Sequence, residues 1–232
     1  MQARRGYVPK DDRYFSKEAL PTLVAASEHI RYLLDAGYGL RQATTFVGDH
    51  FQLSERQRVA LMRSVATKGQ LAARRAKVVP LEGLSSQEVW VDGFNTIITL
   101  EVMLCDSTLL DCMDGSIRDL ASLRGTYRII SVTEGSVRLL LDTLRDARVS
   151  SVNVLLDRPV SNSGRLRALI EETARDYPFA VNVQVTDGVD ALLFGRGNVI
   201  GSDSVVLDRC ASWVMLARHC LEARGARALR LW

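Results

Sequence analysis

The chain has 232 residues, of which 47% are hydrophobic and 25% are charged, and its formal net charge is +3. This composition is typical of a soluble globular protein with one large domain or two small ones. No run of about 18 uncharged apolar residues occurs, which excludes a transmembrane helix, and the basic start lacks the hydrophobic core of a secretory signal. We therefore expect a cytoplasmic protein that does not bind membranes.

The cysteines and histidines form no metal or redox motif that the sequence can reveal. No two of the four cysteines are spaced as C-x-x-C, and no histidine stands at zinc-site spacing from them. We interpret them as buried free thiols in a reducing compartment.

Charge is distributed unevenly along the chain. Residues 1–80 contain 14 basic and 7 acidic side chains, whereas residues 81–232 contain 16 basic and 20 acidic ones. This asymmetry suits a polyanion-binding unit joined to a metal-binding unit. Ordinary variation between small domains gives similar numbers, so charge alone leaves both interpretations open.

Residues 1–80 are predicted to form a small all-α domain. Apolar residues recur at helical spacing over residues 17–36, and a helix, a turn and a second helix follow over residues 40–66. Ser54 and Gln57 form a capping box at the start of the second helix. Helix–turn–helix-like segments bind nucleic acid in many proteins and are purely structural in others. The basic residues expected to contact nucleic acid are Arg56, Arg58, Arg63, Arg74, Arg75 and Lys77.

After a linker at residues 81–87, strands alternate with helices. Strands are predicted over residues 88–92, 127–132, 151–157, 181–187 and 198–203, and helices over residues 95–105, 117–123, 133–147, 163–176, 189–194 and 204–223. This alternation predicts a mostly parallel sheet of about five strands with helices on both faces. The fold class is therefore α/β, a three-layer α/β/α sandwich over residues 88–232.

Four of the five predicted strands end in aspartate: Asp92, Asp157, Asp187 and Asp203. Ligands of open parallel sheets bind outside the carboxyl ends of the strands. Oxygen ligands without Cys or His favour Mg²⁺ or Mn²⁺, which activate water and bind phosphate. Each aspartate alone has a structural alternative, because aspartate also caps helices and forms turns. Four at one edge favour a metal site.

The sequence VDGFN at residues 91–95, with the strand before it, resembles the opening motif of PIN and NYN-type nuclease domains. A later motif of those domains, of the Ser/Thr-x-Asp type, is similar to residues 202–204, and the resemblance spans residues 89–223. It implies a PIN-like sandwich in which Asp92, Asp157 and Asp203 bind the metal and act in catalysis, while Asn95 orients the substrate or supports the site. Gly93 would let metal or substrate approach the backbone. Further possible metal ligands are Glu101, Asp187 and Asp208.

Nearly the whole chain is also similar to an uncharacterised prokaryotic family in which a DUF434-like helical domain precedes this PIN-like part. The segments VGDHFQLSERQR, VDGFNTIITLE, LLDRPVSNSGRL and SDSVVLDR carry this second resemblance. It implies no established activity.

The loop after Asp157, RPVSNSGR, is not a feature that PIN domains require. Backbone N–H groups at a helix N-terminus between two arginines suit a phosphate, and the alternative is a capped helix with surface arginines. The predicted phosphate-binding residues are Arg158, Ser161, Asn162, Ser163 and Arg165.

These observations together predict a Mg²⁺- or Mn²⁺-dependent ribonuclease, with RNA rather than DNA as its partner. The alternative is a nucleic-acid or ribonucleoprotein binding protein that keeps the fold without catalysis. A haloacid-dehalogenase-like phosphatase is disfavoured because Phe94 occupies the position of its second aspartate. A dinucleotide site is disfavoured because no G-x-G-x-x-G follows the first strand. The oligomeric state and the role of the basic residues 223–232 stay open at this point.

Overall fold

The computed structural model describes residues 4–121 and 125–232. The first part is helical, as predicted, and the capping box of Ser54 and Gln57 is present. A second capping box, formed by Thr67 and Gln70, begins the last of these helices. The helices are α1 (Asp11–Tyr14), α2 (Leu20–Asp35), α3 (Leu40–His50), α4 (Glu55–Ser64) and α5 (Lys68–Arg75), followed by a 3₁₀ helix, Leu81–Leu84.

Strands and helices alternate in the rest of the chain. The strands are β1 (Glu88–Asp92), β2 (Leu109–Asp111), β3 (Ile117–Asp119), β4 (Ser151–Asp157), β5 (Ala180–Thr186), β6 (Val199–Ile200), β7 (Trp213–Val214) and β8 (Leu229–Arg230). The helices are α6 (Gly93–Leu104), α7 (Thr133–Asp146), α8 (Ser163–Ala174), α9 (Val189–Leu193), α10 (Ser204–Arg209) and α11 (Leu216–Ala223).

The main sheet has five parallel strands in the order β5-β4-β1-β6-β7. One apolar core joins it to α6, α7, α8 and α11, and a second core on the other face joins it to α9 and α10. The predicted three-layer α/β/α fold is confirmed. No helix in the described ranges, which omit 1–3 and 122–124, is long and apolar enough to cross a membrane.

The strand predicted over residues 127–132 is wrong. Tyr127 is fully buried, and its backbone N–H donates to the Ser161 hydroxyl at 2.9 Å. The N–H of Ile130 donates to the Thr133 hydroxyl at 2.9 Å. These hydroxyl groups accept hydrogen bonds that a neighbouring strand would otherwise accept. The backbone of this apolar segment therefore needs no partner strand at these two positions.

Two helix predictions are also corrected. The helix predicted over residues 204–223 is interrupted by β7. The backbone adopts an extended conformation at Cys210, and the indole N–H of the buried Trp213 donates to the Arg74 carbonyl. β7 thereby becomes the fifth strand of the sheet. Residues 117–119 of the helix predicted over 117–123 form β3 instead, and residues 122–124 lie outside the described part of the chain.

A second sheet, in the order β3-β2-β8, connects the helical region to the sandwich. Leu110, Leu120 and Leu231 are buried in one core with side chains of α2, α3 and α4. Arg230 forms a salt bridge with Asp111 at 2.6 Å. The basic segment at residues 223–232 therefore docks on the sandwich, which resolves one alternative that the sequence left open.

Candidate functional site

The order of the strands creates a crevice beside β1. From β1 the chain continues to β4 and β5 on one side of the sheet, and it then returns to β6 and β7 on the other. The carboxyl ends of β1 and β6 therefore border a topological switch point, where open α/β sheets bind ligands. Asp92 ends β1, and residues 201–203 follow β6 directly.

The charges of three other carboxylates, Asp157, Asp190 and Asp203, act on Asp92 at this edge. Asp92 is only 6% exposed. Burial raises its pKa to about 8, and the charges of Asp190, Asp157 and Asp203 contribute to this rise, against a hydrogen bond from the Asn95 N–H. Three of the four acids are those that the sequence predicted. Asp190 was missed, although an acid in the first turn of a helix that follows the carboxyl end of a strand signals its position.

Burial also raises the pKa of Asp157 and of Asp190. The charge of Asp187 adds to the effect at Asp157, while the backbone N–H of Val189 donates to Asp157 and opposes it. The charges of Asp203 and Asp157 add to the effect at Asp190. The carboxylates thus repel each other, and a cation between them would relieve this repulsion.

Two of these aspartates also cap helices. The Asn95 N–H donates to Asp92 Oδ1 at 3.3 Å at the start of α6. Asp203 Oδ1 accepts from the N–H groups of Val205 at 2.8 Å and Val206 at 3.2 Å at the start of α10. The capping role and the site role are therefore compatible in both residues, and the capping bonds fix the carboxylates at the sheet edge.

Asn95 holds the loop after β6 against the end of β1. Its Oδ1 accepts from the backbone N–H of Ser202 at 2.7 Å and from the Ser202 hydroxyl at 2.9 Å. Gly201 lies against Asp92, since a Cβ at Gly201 would stand 3.1 Å from Asp92 Cβ. The absence of a side chain at Gly201 thus lets Asp92 and Asn95 lie close to the backbone of the loop after β6. A Cβ at Gly93 would instead stand 2.8 Å from the Leu155 carbonyl oxygen, so Gly93 serves the packing of α6 on β4.

A buried ionic network contacts the loop after β6 and holds it in place. Asp114, whose side chain is 1% exposed, pairs with Arg74 at 2.7 Å and with Arg118 at 2.6 Å. Arg118 also donates to the Ser202 carbonyl at 2.7 Å. Burial alone would raise the pKa of Asp114, but the charge of Arg118, the two hydrogen bonds from Ser116 and the charge of Arg74 hold it below its usual range. The helical region thereby contacts the site through Arg74, which belongs to α5.

Three acids proposed as further metal ligands have other partners. Glu101 is fully buried and pairs with Arg5 at 2.7 Å, and it accepts from the hydroxyl groups of Tyr127 and Thr133. Asp187 is exposed and pairs with Arg158 at 3.2 Å. Asp208 pairs with Arg74 at 2.6 Å. The structure therefore does not bring Glu101 and Asp208 to the edge, and it places Asp187 on the rim.

The predicted phosphate loop is used partly by the protein itself. The Ser161 hydroxyl and the Asn162 amide both donate to the Tyr127 carbonyl, at 3.0 and 2.6 Å. Ser163 begins α8, and Arg165 is exposed on its first turn. Arg158 is exposed but pairs with Asp187. Phosphate binding by this loop stays a prediction, with the two arginines as its accessible groups.

The basic residues of the helical region have internal partners as well. Salt bridges join Arg56 to Asp11, Arg58 to Asp49, Arg63 to Asp119 and Arg74 to Asp208. Arg75 donates to the Met113 carbonyl at 3.4 Å, and Lys77 donates to the Leu207 carbonyl at 2.6 Å. The contacts of Arg63, Arg74, Arg75 and Lys77 attach the helical region to the sandwich, whereas the salt bridges to Asp11 and Asp49 lie within the helical region. Contact of the same residues with nucleic acid stays a prediction, and it suits the exposed Arg75 and the partly exposed Arg63 best.

The donor set at the edge suits a hard cation, because it consists of carboxylates with amide and hydroxyl oxygens nearby. Within residues 4–121 and 125–232, no three His, Cys, Asp or Glu side chains are arranged to hold one metal ion together. Proteins ordinarily bind Mg²⁺ through one or two carboxylates, with water and substrate phosphate as the other ligands. One or two of the aspartates at this edge would be enough for a site of that kind.

Comparison with known proteins identifies relatives without an assigned role. The family described as "Domain of unknown function (DUF5616)" matches residues 81–219, and the family described as "Protein of unknown function (DUF434)" matches residues 22–77. An uncharacterised protein of Methanocaldococcus jannaschii is 29% identical over 182 residues, which cover 78% of this chain and 87% of that protein. No solved structure matches the chain significantly.

Proposed function

The chain belongs to the DUF5616 family, with a DUF434 segment ahead of that domain, and we propose that it is a Mg²⁺- or Mn²⁺-dependent ribonuclease. The observation that supports this most is the position of Asp92 and Asp203 beside the switch point of a parallel sheet, where the charges of Asp190, Asp157 and Asp203 contribute to the raised pKa of the buried Asp92. The resemblance of VDGFN to PIN and NYN-type nucleases supports the choice of a phosphodiester as substrate.

Asp92, with Asp190, Asp157 or Asp203 beside it, would hold the cation. The chemistry that Mg²⁺ or Mn²⁺ supplies at such a site is activation of water and neutralisation of phosphate charge. Asn95 positions the loop of residues 201–203, and its Oδ1 is occupied by Ser202. Its amide nitrogen, on the opposite branch of the side chain, is the donor that can orient a phosphate oxygen.

The test is cleavage of single-stranded RNA in Mn²⁺ by the wild-type protein and by Asp92→Asn. Asparagine retains a capping oxygen for α6, so the fold is kept while the charge is lost. Asp146→Asn is the matched control, because Asp146 is an exposed acid in a surface ion pair on α7. We expect the control to cleave normally and Asp92→Asn to lose at least about 100-fold in rate, the scale of one group aimed at transition-state charge. Equal cleavage by Asp92→Asn and wild type would reject the proposal.

A second function, RNA binding without cleavage, is favoured by the lack of a three-residue metal group in the described ranges. It predicts that wild-type protein binds single-stranded RNA equally well in EDTA and in Mn²⁺. It also predicts that the RNA stays intact after long incubation with the protein in Mg²⁺ or in Mn²⁺.

A further inference from the structure

Asp203, one of the four acids at the sheet edge, also lines a cavity of about 390 Å³. Asn95, Ser202 and Asp203 line it on the side of the sandwich, and Leu34, Tyr38 and Leu40 line it on the side of the helical region. Its volume lies within the range of pockets that bind small molecules. The DUF434 segment thus forms one wall of a pocket whose opposite wall contains Asn95 and the loop after β6.

Tyr38 is presented at this wall by the turn between α2 and α3. Gly37 adopts a positive φ of 92°, and the Tyr38 N–H donates to the Leu33 carbonyl at 3.0 Å, so the backbone of the turn is fixed. The Tyr38 side chain nevertheless keeps 61% of its surface exposed. An exposed aromatic ring beside an apolar wall is a stacking surface for a base.

The cavity also contains positive charge. Arg63, whose side chain is 39% exposed, and Arg118 both line it. Arg118 is 7% exposed, and its nitrogen atoms donate to Asp114 and to the carbonyls of Ser202 and Arg63. It therefore fixes the loop after β6, and Arg63 is the accessible cation. A phosphate that approaches Asp203 from this side would meet the Arg63 guanidinium first.

Two polar residues that line the cavity have their groups engaged elsewhere. The Gln70 amide oxygen accepts from the Thr67 N–H at 3.1 Å, and the amide nitrogen donates to Asp208 at 3.1 Å. The Thr67 hydroxyl accepts from the Gln70 N–H at 3.1 Å. These side chains therefore do not read the edges of a base.

We infer that this cavity binds one unpaired nucleotide of the RNA, with its base stacked on Tyr38 and its phosphate near Arg63. A base can enter a pocket of this size only when it is not paired. The stacking surface accepts any base, so sequence preference is weak. This inference rests on the proposed ribonuclease function, and it makes the helical region the part of the protein that selects single strands.

The test measures Kd for labelled single-stranded RNA by fluorescence anisotropy in Mn²⁺, in the Asp92→Asn background. Tyr38→Ala is expected to raise Kd about 5- to 100-fold, the loss for one stacked base. Tyr38→Phe keeps the ring and is expected to bind within about twofold of the background. Tyr32→Ala is the matched control, because Tyr32 is 75% exposed on α2 but does not line the cavity. Circular dichroism checks that each variant is folded.

The outcomes separate this inference from the proposed function. If Tyr38→Ala binds as tightly as the background while Asp92→Asn alone abolishes cleavage, the cavity inference is overturned and the ribonuclease stands. If Tyr38→Ala weakens binding but wild-type protein does not cleave, the nucleotide site stands and the ribonuclease is rejected. Absence of RNA binding by wild type and by Asp92→Asn overturns both. Equal competition by duplex RNA overturns the selection of single strands.

Discussion

Asn95 accepts two hydrogen bonds from Ser202, one from its backbone N–H and one from its hydroxyl. Ser202 is 6% exposed, so Asn95→Ala leaves a buried N–H without its acceptor. We expect a loss of about 1–3 kcal/mol in the free energy of unfolding, measured by urea denaturation, and reduced RNA cleavage. Ser202→Ala removes only the hydroxyl bond and should cost about 1 kcal/mol. If the two variants are equally stable, Asn95 does not hold the loop.

Asp92 should make stability depend on pH. Its carboxyl pKa is about 8 in the folded state, against about 3.9 for an unperturbed aspartate, so the folded state binds more protons between these pH values. The free energy of unfolding therefore falls as pH rises from about 4 to 8. Asp92→Asn removes this dependence, and in EDTA its Tm should exceed that of the wild type at pH 8 but much less so at pH 5. A Tm difference that is equal at both pH values would contradict the raised pKa.

Mn²⁺ should reverse the destabilisation at pH 8. A cation that binds only the folded state raises its stability in proportion to the logarithm of ion concentration. We expect the Tm of the wild type, followed by differential scanning fluorimetry, to rise when Mn²⁺ is titrated at pH 8. The Tm of Asp92→Asn should change little, and that of Asp146→Asn should follow the wild type. A flat wild-type curve would argue against metal binding at the edge.

Asp114 compensates two buried guanidinium groups, so its neutralisation should be costly. Asp114→Asn leaves Arg74 and Arg118 without their shared counter-charge, and loss of one partner from a buried ion pair costs about 3–5 kcal/mol. Urea denaturation measures this loss. Asp208→Asn is the comparison, because Asp208 pairs with the same Arg74 but its side chain is 33% exposed. A similar cost for both variants would show that Asp114 is not the centre of the network.

Gly93 should not tolerate a methyl group. A Cβ there would stand 2.5 Å from Leu156 Cδ2 and 2.8 Å from the Leu155 carbonyl oxygen, and the β4 backbone cannot move away without breaking the sheet. We expect Gly93→Ala to cost about 1–3 kcal/mol. Gly164→Ala is the matched control in α8, where nothing lies within 4 Å of the added carbon, and it should stabilise by about 0.5–1 kcal/mol. Thermal unfolding compares the two.

The strands that carry the acids were predictable because buried parallel strands consist of continuous apolar residues, and each such run here stops at a polar residue. Asp92 and Asp157 follow directly from that rule. Asp190 could not be found in this way, because it lies one turn further, in a short helix whose position depends on the packing of α9 against the sheet. The effect of its charge on the pKa of Asp92 depends on the tertiary structure and not on sequence spacing.

The two main errors in the predicted secondary structure, the strand over residues 127–132 and the continuous helix over residues 204–223, have a common physical origin. The apolar pattern at residues 127–132 and the amphipathic pattern at residues 204–223 are local, whereas the hydrogen bonds that decide the structure are made to distant residues. The Tyr127 backbone is satisfied by Ser161, 34 positions away, and the Trp213 indole by Arg74, 139 positions away. No spacing rule along the chain reports such partners.

The second sheet has a consequence for how the chain folds. Arg230 of β8 and Asp111 of β2 form a salt bridge although 119 positions separate them, and β8 pairs in parallel with β2. During synthesis β2 therefore leaves the ribosome long before β8 has been made. The edge of β2 that pairs with β8 has no partner during that time. Contacts of such high sequence separation slow folding, and an open strand edge invites association with other chains. Throughout the interval between translation of β2 and of β8, this strand edge is open to pairing with another chain.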